Sequence, residues 1–300
     1  MTSATGSARR ETWIRRLPVL PAIVFTVALT QLPFVIALIF STIRWSLTLP
    51  GTERFVGIDN YVRTITDDIF HTALINTILL TVSVVLLSAL VGLVVALMLD
   101  RKFRGRGLAR TLTITAFLVM PAAASMVWKT QFFNATYGLI NIVLTPFGGA
   151  NFDWLAQAPM VALIIIMVWQ WMPFMMLILL AGLQSQSTEI LEAAKVDGAN
   201  ARNTFRYLTL PHLRQYIELG IVLGSIYISQ AVDQVFLVTL GGPGNETTTI
   251  PYYVYLKTFR EGEIGLASAA GIIAVVVTFA LASFALRRLS SLFRTGSAYA

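Results

Sequence analysis

The side chains able to do chemistry in this sequence are amides and aromatic rings set inside apolar runs. Trp169, Gln170, Trp171 and Phe174 lie in one run, and Tyr227, Gln230, Asp233 and Gln234 in another. Amides both donate and accept hydrogen bonds and aromatic rings offer apolar faces, so the set suits non-covalent recognition. In helical spacing Tyr227, Gln230 and Gln234 fall near one face, at i, i+3 and i+7. A plainer reading is that the glutamines bond between helices and the tryptophans sit at an interface. Covalent and metal chemistry find no support. The chain has no cysteine, which removes disulfides, thiolate ligands and cysteine nucleophiles, and His71 and His212 are isolated near helix ends. No cluster of acids or metal ligands marks a catalytic centre, so neither catalytic residues nor a metal site is expected.

The elements that must hold these residues are visible in composition. Of 300 residues 56% are hydrophobic and 12% charged, against about 25% charged in soluble domains. The apolar residues are blocked into stretches of about 20, enough helix to cross ~30 Å of hydrocarbon. Six membrane helices are expected, at Leu17–Phe40, Ala73–Leu99, Leu112–Trp128, Met160–Leu183, Ile217–Leu240 and Leu266–Leu286. Pro121 falls in the third and Pro173 breaks the aromatic segment of the fourth. The fifth carries Glu218, Gln230, Asp233 and Gln234, so it does not face lipid all round.

The expected fold is therefore all-α and integral to a membrane, a single domain over 1–300 with a short tail at 1–16. Arg9, Arg10, Arg15 and Arg16 resemble a signal-peptide n-region, but the apolar run that follows is too long and lacks a small-residue cleavage site, so a retained helix is expected. Sixteen of the 22 lysines and arginines fall in connections on one side and six on the other, which places both termini in the cytoplasm. That topology accounts for the net charge of +7 without any nucleic-acid-binding patch. On the outer side, Gly241-Gly242-Pro243-Gly244 opens a long connection with a strong turn signal, and Gly148-Gly149 marks a second turn.

On the inner side the connection Gln184–Tyr216 carries helical signals of its own. Thr188 is placed to cap a short helix, with Glu189 and Glu192 near its positive dipole end. Ile190, Leu191 and Ala194 give it a small apolar face. Gly198, after Asp197, reads as its stop, because glycine accepts left-handed geometry without steric cost. Asn200 can cap a second short helix through Phe205. Leu210-Pro211 then ends the unit, with Pro211 suited to the first turn of the next membrane helix. The unit reads either as an amphipathic helix resting on lipid or as a rigid helix-turn-helix on the cytoplasmic face.

Glu192-Ala193-Ala194, three residues, Gly198, nine residues and Leu208-Thr209-Leu210-Pro211 resemble the cytoplasmic EAA loop of bacterial ABC importer permeases, with Leu208 in place of the commoner isoleucine. Nearly the whole chain is similar to the carbohydrate branch of these permeases, the maltose and glycerol phosphate group. Asn76-Thr77 opening the second helix, Pro121, Trp169 to Phe174 and Gly241-Gly242-Pro243 carry that likeness. Val119-Met120-Pro121, Trp128-Lys129 and the segment Trp169 to Phe174 look most similar to sorbitol and mannitol permeases.

The resemblance implies a six-transmembrane-helix permease bundle whose EAA helix couples to a cleft in an ATPase subunit. Coupling roles then fall to Glu192, Ala193, Ala194, Asp197, Gly198, Leu210 and Pro211, and substrate contacts to Trp169, Gln170, Trp171, Phe174, Tyr227, Gln230 and Gln234. It also implies a second homologous permease, two ATP-binding subunits holding ATP and Mg, and an extracytoplasmic solute-binding protein at a bacterial inner membrane. The chain has no GxxxxGK[ST] phosphate loop, so it is expected to be neither the ATPase nor any other enzyme and to hold no cofactor. The expected function is import of a sugar alcohol, such as mannitol or sorbitol, or of a small oligosaccharide. Two other classes stand beside it. A proton-coupled carrier would rest on Asp233, and a membrane-embedded enzyme would need the clustered acids or metal ligands noted as missing.

Overall fold

The computed structural model describes residues 19–147 and 152–294. The tail 1–16, the start of the first expected span at Leu17 and the Gly148-Gly149 turn lie outside the described residues. In chain order the helices are α1 (Leu20–Ser41), α2 (Asp59–Ile65), α3 (Asp68–Asp100), α4 (Arg106–Leu118), α5 (Pro121–Val127), α6 (Leu139–Leu144), α7 (Trp154–Gln157), α8 (Pro159–Gln184), α9 (Thr188–Val196), α10 (Ala201–Thr204), α11 (Leu210–Ser229), α12 (Ile250–Tyr255) and α13 (Ile264–Arg294). A short antiparallel hairpin pairs β1 (Ile43–Arg44) with β2 (Arg54–Phe55). Wider π-helical turns occupy Trp128–Phe132, Phe205–Thr209, Val235–Thr239 and Leu256–Arg260.

Among the described residues α1, α3, α8 and α13 are long and apolar enough to cross a membrane, and the bent pair from Arg106 to Phe132 makes a fifth span if counted as one. The third expected span is thus not one helix: its halves meet at 98°. Pro121 has no N–H to continue the ladder and forces the residues before it out of helical geometry, so Val119 and Met120 are extended. Pro173 behaves differently. It was expected to break its segment, yet α8 runs through it without interruption. A buried proline is tolerated where neighbouring helices enclose the freed backbone. The fifth expected stretch, Ile217–Leu240, is also interrupted, since α11 stops at Ser229 and helical backbone resumes only at Asp233. At that break Gln230 turns its amide onto its own helix, Nε2 donating to Ile226 O at 3.0 Å. Such local bonds compete with the helical ladder.

The chain divides into two compact units, one of residues up to 65 with 256–272, the other of 66–255 with the chain from 273. In the first, the buried Asn60 on α2 ties the end of α1 to the hairpin, its Nδ2 donating to Ser41 O and Ile43 O, each at 2.9 Å. Arg44 pairs with Asp59 beside it.

In the second unit α3 and α8 are the central pair, with α11 packed on both and α4 on α8. The buried face of α3 mixes small and polar residues with large apolar ones such as Phe70, Leu80, Val84 and Val85. Thr77, Thr81, Ser88, Gly92 and Ala96 are buried, while Ile75, Leu79, Leu86, Leu90 and Val94 are exposed. Lipid is as apolar as leucine, so leucines can remain on the outer face. Small residues go inside because they let helix backbones approach closely. Gly92 marks the tightest approach: a Cβ there would lie 2.9 Å from the backbone nitrogen of Met176. Asn76-Thr77 does not open α3, which starts at Asp68 under a cap from the Asp67 carboxylate to Ile69 N. The pair instead holds the Gly241–Ile250 connection. Asn76 Nδ2 donates to Asn245 O and Thr248 O, and Thr77 Oγ1 accepts from Ile250 N.

Gly92→Ala should destabilise the protein by about 1–3 kcal/mol through overpacking. Gly107→Ala, with open space around the new methyl, should be neutral or gain up to ~1 kcal/mol from helix propensity. Thermal midpoints in detergent check this, and equal midpoints for the two variants would refute the close approach of α3 to α8.

Candidate functional site

Two places bring the expected residues together. The first is the connection between α8 and α11. After Gln184 the chain leaves helical geometry for residues 185–187 and enters α9. The cap position belongs to Ser187, with no side-chain cap bond, and Thr188, expected as the cap, is the first helical residue. No residue of α9 is buried, and its face shows Ile190, 53% exposed, and Val196, 88% exposed. Glu192, Ala193, Asp197 and Gly198 are exposed and Ala194 half-buried. Among the described residues Glu192 has no ion-pair partner. Gly198 stops the helix at φ +81°. Its N–H donates to Lys195 O at 3.1 Å and that of Ala199 to Ala194 O at 2.9 Å, the paired bonds of a Schellman stop.

Asn200 caps α10 as expected, its Oδ1 accepting from Asn203 N at 2.9 Å. Leu210-Pro211, however, does not end the unit. Helical backbone runs from α10 through the Phe205–Thr209 turn directly into α11, with Pro211 in its first turn. The wider turn, closed by Leu210 N donating to Phe205 O, lets the helix pass a residue that has no N–H of its own. The second half of the connection and α11 therefore form one helical rod.

The second place lies between α8 and the segments around it. Trp171, Phe174 and Phe117 form an aromatic triad with ring centroids 5.5–5.7 Å apart. Tyr227 of α11 stacks on Trp171 at 5.8 Å while remaining 58% exposed. One residue before Trp171, Gln170 is buried. Its Nε2 donates to Val119 O at the bend between α4 and α5, and its Oε1 accepts from Gln234 Nε2 at 2.9 Å. Gln234 is 3% exposed, and its own Oε1 has no hydrogen-bond partner among the described residues. Buried amides normally satisfy both ends, so this oxygen is a buried acceptor that the described residues leave open.

Not every expected residue joins this group. Trp169 packs against Trp128 at 5.7 Å, and Gln230, beyond the end of α11, is exposed and bonded to its own helix. The face shared by Tyr227, Gln230 and Gln234 does not form, because the break at residues 230–232 separates them. Phe117 was missed. It sits on α4, and no periodicity in the sequence connects it to a segment more than fifty residues later. Asp233 is exposed, and Glu218 is paired with Arg214 at 2.7 Å. Among the described residues no group of acids, histidines or cysteines could hold a metal ion.

Known proteins resemble this chain along most of its length. A probable ABC transporter permease of Sinorhizobium fredii is 37% identical over 88% of this chain and 86% of its own. The trehalose/maltose transport system permease protein MalF of Thermococcus litoralis is 30% identical over 89% of this chain and 90% of its own. In structure, a bacterial ABC transporter involved in the import of the acidic polysaccharide alginate superposes with a TM-score of 0.78 over 96% of this chain and 99% of that one. Its 21% sequence identity makes this a likeness of fold. Residues 88–295 match the family described as the binding-protein-dependent transport system inner membrane component, and the chain, with its α9 loop and multi-pass helices, belongs to that family.

Proposed function

We propose that this chain is the membrane-spanning permease of an ATP-driven importer that carries a carbohydrate into the cell. Its partners are a second homologous permease, two ATP-binding subunits holding ATP and Mg, and an extracytoplasmic solute-binding protein. As a permease component the chain is not itself an enzyme. The asymmetry of lysines and arginines supports an orientation with the α9 loop and both termini in the cytoplasm of a bacterial cell, across its inner membrane.

The observation that carries this reading is α9 itself. It is nine residues long with none buried, and helices this short are marginal alone in water. Held away from the bundle by a glycine stop and a rigid rod, it is built to dock elsewhere. Ala193 and Ala194 permit close approach to an ATPase cleft, and Glu192 offers an unpaired charge for an arginine there. Asp197, Gly198, Leu210 and Pro211 set the angle at which the helix is presented.

The substrate would meet Trp171, Phe174 and Tyr227 through its apolar faces and the Gln170–Gln234 pair through its hydroxyls. The free Gln234 Oε1 supports that role, being a buried acceptor with no protein donor. Trp169 and Gln230 border the region and do not form its centre. The name of the archaeal relative supports a disaccharide, while the likeness to sorbitol and mannitol permeases supports a sugar alcohol. The disaccharide is the stronger assignment, because it rests on an alignment spanning the chain.

ATP-dependent uptake by vesicles carrying the full complex tests the substrate class, with maltose, trehalose, mannitol and sorbitol as probes. Uptake of none would overturn the carbohydrate assignment and leave the importer reading standing. Glu192→Ala and Gly198→Asp should each reduce uptake to background while the chain reaches the membrane in normal amounts, and normal uptake in both would sink the coupling role. Trp171→Ala should raise the half-saturating sugar concentration about tenfold, equivalent to about 1.4 kcal/mol. An unchanged value would remove the aromatic group from the substrate path.

A further inference from the structure

The loop that carries α9 leaves α8 and returns to α11 through a single neck, and the two sides of that neck are built differently. On the α11 side the backbone is helical without a break. Between α9 and the helical run that starts at Ala201, residues 197–200 are non-helical, and residues 185–187 on the α8 side form a second non-helical joint, so α8 and α11 move together only if they are held to each other. Side chains bridge the joint on the α8 side. His212 Nε2 lies 3.0 Å from Gly182 O and 3.0 Å from Ser185 Oγ. A carbonyl can only accept, so Nε2 carries the proton. Ser185 donates its own hydroxyl to Gly182 O at 2.8 Å and is left to accept from His212 and from the Tyr216 hydroxyl at 2.8 Å. Beneath this network the Tyr216 ring lies flush on Gly182, where a Cβ would come within 2.6 Å of it. Leu213, between the two polar residues, is fully buried among Leu179, Leu180 and Leu183 of α8. One turn of α11 thus grips the last turn of α8 by contact below and hydrogen bonds above.

We propose that His212, through Ser185 and Gly182, is a positioning residue that closes the neck of the α9 loop, so that α8 and α11 move as one body when α9 is displaced. The inference rests on the coupling role proposed for α9. Its consequence lies deeper in the bundle. Trp171 on α8 and Tyr227 on α11 are stacked, and only a joint movement of the two helices keeps that stack together through a transport cycle.

The natural lack of cysteine allows spin labels at two chosen sites, Ala181→Cys on α8 and Gln215→Cys on α11, both exposed. Distances are read in the full complex in liposomes, without nucleotide and after trapping with ATP and vanadate. The otherwise natural chain should give the same distance in both states. His212→Ala should make the two states differ by about 2 Å or more, the scale of a helix shift. His212→Gln, whose amide can still donate to Gly182 O, should restore a single distance, and Tyr216→Phe should give a smaller difference. If His212→Ala fails to assemble, Ser185→Ala stands in for it under the same criterion. Distances for the alanine variant that match those of the natural chain in both states would overturn the clamp. Adding Glu192→Ala to His212→Ala should abolish the difference. Its persistence would count against entry of the motion through α9, and so against the coupling role, while leaving the clamp intact.

Discussion

A backbone carbonyl or N–H left without a partner inside hydrocarbon costs several kcal/mol, and the irregular parts of this protein are arranged around that cost. Where helices break, amides, an ammonium group and hydroxyls from elsewhere in the chain take over the lost bonds. Gln170 holds Val119 O at the 98° bend, and Lys129 Nζ holds Leu237 O, in the turn after α11, at 3.0 Å. Asn76 and Thr77 hold both senses of the 245–250 backbone, donating to two carbonyls and accepting from one N–H. Asn141 serves carbonyls on both sides of α6, its Nδ2 donating to Asn134 O, Ala135 O and Phe152 O. Broken helices are useful to a transporter because they line a path, but each break must be splinted by polar groups that a lipid-facing helix could not carry.

This requirement explains what could and could not be read along the chain. The core of α3 was legible because twenty-odd apolar residues have one physical outcome in a bilayer. Its start was placed five residues late because the Asp67 cap, a local hydrogen bond, extends the helix beyond the apolar run. Gly198 was legible as a stop for a purely local reason, its left-handed φ. Two prolines of the same chemistry were not equally legible. Pro121 sits at a right-angled bend where Gln170, far along the chain, takes up the Val119 carbonyl that the bend leaves outside the helix, whereas Pro173 is buried and α8 runs through it as one helix. A sequence reveals that a proline removes a donor, but not whether a distant side chain will replace it.

The same limit shaped the candidate site. Helical spacing grouped Tyr227 with Gln230 and Gln234 on the premise of an unbroken helix, and the break at 230–232 sends them to different surroundings. Tyr227 goes to the rings and Gln234 to Gln170, while Gln230 goes to its own backbone. The residue types were legible along the chain, whereas their geometry depended on a tertiary event. The Gln170–Gln234 pair also dissolves the choice between a structural amide and a binding amide. Gln170 uses one N–H on a helix break and its oxygen on Gln234, and among the four heteroatoms of the two amides the far oxygen of Gln234 is the one with no partner among the described residues. A structural chain of hydrogen bonds thereby ends in one oriented, buried acceptor.

The α9 loop follows the same logic at the edge of the membrane. Under the proposed coupling role a loop that passes on a push must not absorb it, and flexible backbone absorbs displacement. The Schellman stop at Gly198 fixes the angle between α9 and α10 with two backbone hydrogen bonds. The π-helical turn before Pro211 carries the helix past a missing donor without a hinge. Glycine and proline, usually signals of flexibility or rupture, here remove two places where the loop could bend. On the other side of the loop the three residues after Gln184 are non-helical. As at the breaks inside the bundle, side chains bridge that joint, here from His212 and Tyr216 to Gly182 and Ser185.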